Sequence, residues 1–513
     1  MNNSPSSLTM SSDIWEFYGF QYNPFDTRAL SPFSQTPLPI AQAFIPRLTD
    51  ERATTVLANI LASSGGMRLV VEGEIGVGKT TFVNYHRYLW HLAKERALFT
   101  TINEISLCPG WNVKDCLLNI LANLLEALLQ HRGEKFVKEN KVFREILVLS
   151  KVLWESAKSF QGSVNLGFVG IGGGYGKQMS LLLPNMPEIQ LLIYFQKMVE
   201  EIIKIGYRGV LLHLDNLELP SRSQPALTQQ LFENLRDALQ TSDVYSVVVG
   251  YKGFFYQIIS PCERVRSVFF GYPITIAPLS LPEVLAVLEK RYELLAKNPN
   301  QFIRPVENEL VEYLYQVYNG KIRFIMDAIN SLVYQLSAGR VKTFSLKEGK
   351  LSLQSLIAEK SRQFLTPREW EILQGCLRLE RFQNADLSRD LRISRQHVSY
   401  YLNRFLQYNL IYPELQEGNK IYYHLSEELQ LIAQHNDPPK LPVRHHKTAA
   451  LNTRQETAVI FLKRHGAITT SKYMELTKTS RATAQKDLAE LLKNCLVIRQ
   501  GITRNIHYVL VPE

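Results

Sequence analysis

Residues 70–84 read VVEGEIGVGKTTFVN, and no other stretch restricts so sharply what this chain can fold into. Gly73, Gly78, Lys79 and Thr80 stand at the G-x-x-x-x-G-K-[ST] positions, directly after the apolar run Leu69-Val70-Val71. A loop of that kind needs a buried strand to deliver it, glycines that let successive backbone N–H groups turn inward, and a helix whose N-terminus faces an anion. All three are predicted here: a strand over 68–71, glycines at 73, 76 and 78, and a helix over 81–93. The spacing points to a nucleoside triphosphate. The backbone around Gly73, Gly76, Gly78 and Thr81 would wrap the phosphates, Lys79 would sit as a point charge on the β and γ phosphates, and the Thr80 hydroxyl would ligate Mg2+. A glycine-rich turn that matches by chance is the competing reading, and the strand and helix around the loop argue against it.

The alternation continues downstream. Strands are expected around 98–105, 209–219, 245–250 and 274–278, with helices over 113–130, 143–158, 189–204 and 226–239. The run GVLLHLDNLEL from Gly209 is continuously apolar, the signature of a central parallel strand. It carries Asp215, whose carboxylate would emerge at the carboxyl edge of the sheet, where a second Mg2+ ligand belongs. A turn-forming aspartate is the bland alternative, outweighed by the phosphate loop upstream. The expected fold class is therefore α/β, a phosphate-loop doubly wound sheet over 44–279 with a helical lid over 280–350. Residues 163–183, with the triple glycine of GFVGIGGGYG, suggest an inserted hairpin that touches DNA, touches a neighbouring subunit or is a structural flap. Residues 1–13 read as a disordered tail. Residues 14–43 read as an aromatic, proline-rich arm without regular structure, packed on the next domain, and 44–61 as an extended lead-in, a Thr49 cap and an amphipathic helix.

At 513 residues several domains are needed. No run approaches about 18 uninterrupted apolar residues, so no membrane partner is expected. Five scattered cysteines without zinc spacing, and a polar start without an apolar signal core, suit a reducing, cytoplasmic setting. The net charge of +10 is unevenly placed: residues 441–513 hold twelve Lys or Arg against five Asp or Glu. A basic segment of that kind faces a polyanion or simply solubilises.

That segment is also the second half of a repeat. Residues 393–411, ISRQHVSYYLNRFLQYNLI, align without a gap on 479–497, TSRATAQKDLAELLKNCLV, and both lie in a helix-helix-turn-helix-wing pattern. Two small α+β winged-helix domains are expected, at 360–430 and 451–513, joined by a linker at 431–450 that lets them move independently. In such a module the helix after the turn lies in the major groove. Arg395, Gln396, His397 and Ser399 in the first copy, and Arg481, Thr483, Gln485 and Lys486 in the second, are the candidates for DNA contact. Val398, Leu402 and Leu406, with Ala484, Leu488 and Leu492, are core by spacing. The second copy carries the charge excess and is favoured for phosphate contact; the first is near neutral, and a protein partner there is the alternative.

The residues resemble the AAA+ ATPases, and within them the origin-recognition and initiator type with the related secretion and transposition ATPases, over about residues 14–345. FIPRLTDE from Phe44 is similar to the family's opening box beside the adenine, which implies Arg47 and Glu51 as neighbours of the base. YGFQYNPF from Tyr18 looks like the N-terminal box of the secretion and transposition branch. ERVRSVFF from Glu263 is similar to the R-V-x-S segment that reaches a neighbouring subunit's γ-phosphate, implying Arg264, or else Arg266. PLSLPEVLAVLEKR from Pro278 looks like the first lid helix, and NGKIRFIMDAI from Asn319 like the lid's G-N-x-R sensor, implying Arg323. The resemblance implies ATP and Mg2+ as cofactors, homo-oligomers through the AAA+ core, and double-stranded DNA as partner, in replication initiation, in mobile-element or plasmid control, or in defence.

Two departures matter. The family's glutamate after the Mg2+ aspartate is replaced by Asn216, which cannot take a proton, so Glu218 or Glu74 would have to substitute or hydrolysis would be slow. The strand expected to end in a polar sensor ends in Val248-Val249-Gly250, leaving Tyr251 or Ser246. Both favour a slowly hydrolysing nucleotide switch over a motor. The alternative is a nucleotide-regulated signalling scaffold or transcription regulator whose winged helices bind protein or a single operator.

Overall fold

The computed structural model describes residues 13–33, 37–47, 51–93, 97–158, 186–218, 224–299, 301–336, 342–379, 381–413, 421–433, 452–465, 467–493, 497–500 and 507–510. The expected insert at 163–183, the tail before residue 13, the Thr49 cap, most of the linker and the tips of both wings lie outside these residues. The chain divides into two compact units, 1–438 and 439–513.

The first unit is built on a parallel sheet with, among the described residues, six strands: β1 Arg68–Gly73, β2 Leu98–Thr100, β3 Ile105–Ser106, β4 Gly209–Asp215, β5 Val244–Tyr251 and β6 Ile274–Ile276. Their order is β2-β4-β5-β1-β6, and β3 pairs with the far end of β4. β1, β4 and β5 are buried along their whole length, which is why they read as unbroken apolar runs. Alternate side chains feed two cores. Val70 and Val248 face the helices α5 (Val113–Glu139), α6 (Lys141–Lys158), α7 (Glu188–Lys204) and α8 (Pro225–Leu239), whereas Leu69, Val71, Val247 and Val249 face α3 (Glu51–Ala62) and α4 (Lys79–His91). The strand expected over 98–105 is two pieces, because the carbonyls of Thr101 and Asn103 turn from the sheet toward the buried Arg87 guanidinium.

The lid follows as α10 (Leu281–Leu295), α11 (Asn308–Tyr318) and α12 (Ile322–Leu336), after a short α9 (Glu263–Arg266). A further helix, α13 (Leu346–Phe364), fills a stretch for which no element was expected and leads into the first winged helix: α14 (Pro367–Leu377), α15 (Asn384–Leu391), α16 (Arg395–Gln407), β7 (Ile411–Pro413), β8 (Tyr423–Leu425) and α17 (Glu427–Gln430). Lid and winged helix share one core, in which Leu310, Ile325 and Leu332 are continuous with Leu402, Phe405 and Leu429.

The N-terminal arm departs from expectation in two ways. It contains helical turns, α1 (Ile14–Phe17) and α2 (Ile40–Ala43). Its aromatic end also packs on the lid and not on the α/β core that follows it in sequence. Trp15 Nε1 donates to the Tyr334 hydroxyl (2.8 Å), the Tyr18 hydroxyl donates to the Lys342 carbonyl (2.8 Å), and Phe20 stacks on Tyr292. The lid offers the arm aromatic side chains from two helices, and buried rings gain most where they meet other rings.

The second unit contains α18 (Thr453–His465), α19 (Thr470–Thr477) and α20 (Arg481–Lys493), with an antiparallel sheet in the order β10-β11-β9 formed by Ala467–Thr469 (β9), Val497–Gln500 (β10) and His507–Leu510 (β11). Each helix begins 86 residues after its counterpart, at 453 against 367, 470 against 384 and 481 against 395. Arg392 and Lys478, which end the second helix of each copy, both adopt the left-handed conformation. The repeat therefore covers all three helices and not only the span that aligns in sequence. One core position shifts: Phe405 and Leu491 are fully buried, whereas Leu406 and Leu492 are half-buried. Positions i, i+4 and i+7 from Val398 or Ala484 form one stripe, and the next residue lies at its edge. No helix among the described residues is long and apolar enough to cross a membrane.

Candidate nucleotide site

β1 ends at Gly73, and α4 begins at Lys79, two residues before the expected start, so the first-turn amides of Thr80 and Thr81 belong to the loop. Gly76 (φ 84°) and Gly78 (φ 91°) hold the turn in the left-handed region. A Cβ on Gly78 would meet the Arg47 guanidinium at 2.9 Å, and one on Gly76 the Phe324 ring of the lid at 3.1 Å.

Lys79 is 7% exposed; its Nζ donates to the carbonyls of Gly73 (3.1 Å) and Glu74 (2.9 Å) and lies 3.3 Å from Glu218 Oε1. Asp215, at the end of β4, accepts from the Thr80 hydroxyl on Oδ2 (2.7 Å) and from the Asn216 amide on Oδ1 (2.7 Å). Burial pushes the Asp215 carboxyl up, but His213, Thr80 and that amide together hold it below the ordinary carboxylate value. An ionised carboxylate beside a hydroxyl is a hard-oxygen pair of the kind Mg2+ takes while keeping several waters, and a buried ammonium one loop away suits phosphate. The residues fit an Mg2+-nucleotide.

These groups open on a cleft of about 290 Å3 between loop, arm and lid. Arg47, Gly76, Gly78, Lys79, Thr80, Thr81, Asp215, Glu218 and Arg323 all line it, and Gly73 lies beneath Lys79. Arg47 donates to the Val77 and Ala277 carbonyls (2.5 Å each), so it ties the loop to the end of β6 while forming part of the wall. Arg323 brings the lid in, and its amide donates to the Gly76 carbonyl (3.2 Å). Glu51, Ser246 and Tyr251 are not in the cleft wall. Arg264 and Arg266 are exposed on α9, away from the cleft. Of the two substitutes for the missing glutamate, Glu218 faces Lys79, whereas Glu74 Oε2 lies 3.0 Å from Lys321 on the lid side. Asn216 is held with φ 60°, its side-chain Nδ2 donating to Ser106 Oγ (2.7 Å).

Sequence reasoning missed the arm's share. Thr27, Arg28, Ala29 and Leu30 form one wall of the cleft. Leu30 is pinned to α4, its amide donating to Thr81 Oγ1 (3.3 Å) and its carbonyl accepting from Asn84 Nδ2 (2.9 Å). Arg291 of the lid donates to the Pro24 and Asp26 carbonyls. The only signal was the resemblance of YGFQYNPF to an N-terminal box, which names a position and not a contact.

In the first winged helix Arg395, Gln396, His397 and Ser399 are exposed, with Ser399 Oγ accepting from Asn384 Nδ2 (2.5 Å). In the second unit Arg481, Gln485 and Lys486 are exposed, and Thr483 is half-buried beside Ser480 Oγ (3.0 Å). Exposed Arg389 and Arg392 add to the first copy's start of α16, and Arg392 matches Lys478 as Arg395 matches Arg481.

Residues 52–249 match the model of the KAP family P-loop domain. Residues 52–249 are a phosphate-loop NTPase domain. Beyond this NTPase domain, residues 450–511 match the C-terminal domain of the DIP2311-like transcriptional regulators. Among solved structures the chain is similar to the Aeropyrum pernix ORC2 protein in ADPNP-ADP complexes, with 15% identity, 80% of this chain and 96% of that chain covered and a TM-score of 0.42. It is also similar to the Aeropyrum pernix ORC1 protein in complex with DNA (14%, 76% and 93%, 0.37) and to Cdc6p from Pyrobaculum aerophilum (12%, 76% and 94%, 0.35). No curated protein matches. The expected architecture, with the NTPase core followed by a helical lid and two winged-helix modules, is the one found.

Proposed function

We propose that the chain is an ATP-dependent switch that acts on double-stranded DNA and hydrolyses slowly. The observation that carries this reading is the meeting of Lys79, Thr80, Asp215 and Arg323 around one cleft, in a unit whose lid shares its core with a winged helix. Lys79 would exchange Glu218 for the nucleotide's phosphates, and Thr80 and Asp215 would hold Mg2+, which would supply neutralisation of phosphate charge. Glu218, released from Lys79 at the cleft wall, takes the proton of the attacking water, a task the Asn216 amide cannot perform. Arg323 senses the nucleotide from the lid, and Arg264 completes the site of a second copy in a homo-oligomer. The helices α16 and α20 enter the major groove with Arg395, Gln396, His397, Ser399 and Arg481, Thr483, Gln485, Lys486 toward the duplex.

The match of residues 450–511 to a transcriptional-regulator family favours a second reading, in which the winged helices hold one operator or a protein and ATP only sets the oligomer. A mobility shift of the full chain and of Lys79→Ala on duplex DNA, with and without ATP and across a salt series, separates the two. Affinity that changes with ATP, falls steeply with salt and does so on unrelated sequences supports the first. Tight binding to one sequence alone, or to a protein with no DNA affinity, supports the second. ATP that alters neither DNA binding nor oligomer size in the wild type removes both.

A further inference from the structure

Left-handed backbone is costly for any residue with a Cβ, and among such residues it falls mostly to asparagine and aspartate, whose short polar side chains tolerate it. Among the described residues six non-glycine positions have positive φ, and four follow that rule: Asn216, Asp243, Asn319 and Asn409. The other two are long cations, Arg392 (φ 52°) and Lys478 (φ 49°), at equivalent places in the two winged helices. Each closes the second helix of its copy in the same way. The Arg392 and Ile393 amides both donate to the Ser388 carbonyl, and the Lys478 and Thr479 amides both donate to the Met474 carbonyl. Glycine is the residue that such a helix end ordinarily takes, with asparagine next. Backbone conformation thus disfavours a cation at this turn, and the chain places one there twice.

Ion pairing does not account for them. The acids nearest in sequence are engaged elsewhere: Asp390 pairs with Arg378 (2.6 Å), Asp386 lies 3.9 Å from Arg389, and Glu475 pairs with Lys472 (2.7 Å). Arg392 and Lys478 are exposed, and among the described residues neither side chain has a hydrogen-bond or ion-pair partner. The helix dipole asks for a cation in the last turn, where Arg389 already stands in the first copy. Three residues beyond each turn, Arg395 and Arg481 begin α16 and α20, which the Ser394 and Ser480 hydroxyls cap by accepting from the amides of His397 and Thr483 (3.3 Å each). Each cation therefore sits on a fixed turn leading into the helix read as entering the groove. Arginine and lysine differ in hydrogen-bond geometry and share charge, which is what a backbone phosphate recognises.

We propose that Arg392 and Lys478 are equivalent phosphate-contacting residues, one in each winged helix, which fix α16 and α20 on the duplex backbone without reading its sequence. The inference rests on the proposed reading of the winged helices as duplex-binding and adds to it one contact per copy from outside those helices. The strain kept at each turn fits a residue retained for its ligand and not for its fold.

The test is a fluorescence-anisotropy titration of the full chain with ATP and Mg2+ on two short duplexes of unrelated sequence, across a salt series, with a thermal melt of each protein. Wild type is compared with Arg392→Gly, Lys478→Gly and the double variant. Glycine relieves the turn while loosening the unfolded chain, so the single variants should melt close to wild type. Loss of one phosphate contact should lower the slope of log affinity against log salt by about 1 on both duplexes, and loss of both by about 2. Arg392→Lys and Lys478→Arg, which keep the charge, should keep the wild-type slope. An unchanged slope in either glycine variant overturns the inference. So does a loss confined to one duplex, which marks a base contact, or a loss matched by a lower melting temperature, which marks a damaged module. Should a glycine variant fail to fold, Arg392→Asn or Lys478→Asn, neutral and suited to the same turn, decides on the same readout. A wild type that binds neither duplex removes the reading of the winged helices and the inference with it, whereas a steep wild-type slope shared by the variants removes the inference alone.

Discussion

Lys79 and Glu218 form an ion pair whose ammonium also donates to the carbonyls of Gly73 and Glu74, and this pairing makes their roles separable. Replacing Glu218 by glutamine removes a proton acceptor and a competitor for Lys79 at once. Glu218→Gln should bind ATP at least as tightly as wild type while the slow phosphate release falls further, by less than the roughly 10²- to 10⁴-fold worth of a fully positioned base; binding by fluorescence and turnover by phosphate release are read side by side. Equal turnover in the variant would return the base role to another group. His86, on the same helix, is a test of burial. Its ring packs on Phe82 (centroids 4.8 Å apart), and burial pulls its pKa down to about 4 from 6.5. The unfolded chain then takes up a proton below pH 6.5 that the folded one refuses until about pH 4. Stability from this residue is complete above pH 6.5 and is lost as pH falls to 4, by at most about 3 kcal/mol. Denaturant melts of wild type and His86→Phe across that window should converge at high pH and separate at low pH, with the variant less sensitive.

At the scale of elements, the strand, loop and helix of residues 68–91 were legible because each signal is local: burial gives unbroken apolar runs, and left-handed turns ask for glycine at 76 and 78. The winged helices were legible through their repeat. Spacing places the end of their buried stripe one residue late, because Phe405 and Leu406 stand side by side and look equally apolar in sequence, as do Leu491 and Leu492. Phe405→Ala should therefore lower the stability of the first unit by about 3–5 kcal/mol and Leu406→Ala by clearly less, in thermal or denaturant melts. Equal losses would mean that the stripe is wrongly placed. The arm was only half legible, for a different reason: Leu30 and Phe33 do meet the core, whereas the end from Trp15 to Phe25 goes to the lid. Its rings mark it as buried, but nothing in residues 14–33 says whether lid or core supplies the partner surface, and the choice fell to aromatic side chains about 270 to 320 residues away.

Across the whole first unit, the lid residue Lys321 links three parts that the sequence keeps far apart. Its Nζ lies 3.0 Å from Glu74 Oε2 in the phosphate loop and 2.9 Å from Glu427 Oε1 in the first winged helix. Burial pulls Lys321 down, yet Glu427 and Glu74 more than offset it, so the ammonium stays charged. If the loop holds nucleotide as proposed, this pairing is the contact through which it would reach the winged helix. ATP should change the protease protection of α14–α16 in the wild type and change it less in Lys321→Ala, measured by limited digestion with mass spectrometry; an identical response in both would show that the shared core alone carries the coupling.

The amino-acid sequence by itself determined the phosphate loop, the Asp215 strand and the doubled winged helix, because periodicity, glycine placement and repeat register depend only on neighbours in the chain. Only the tertiary structure decided that the arm walls the cleft and lies on the lid, that Glu218 and not Glu74 faces Lys79, and that Lys321 joins Glu74 to Glu427. Those outcomes depend on which side chains meet across hundreds of residues, where distance and burial choose among many equally charged or equally apolar candidates that no local spacing distinguishes.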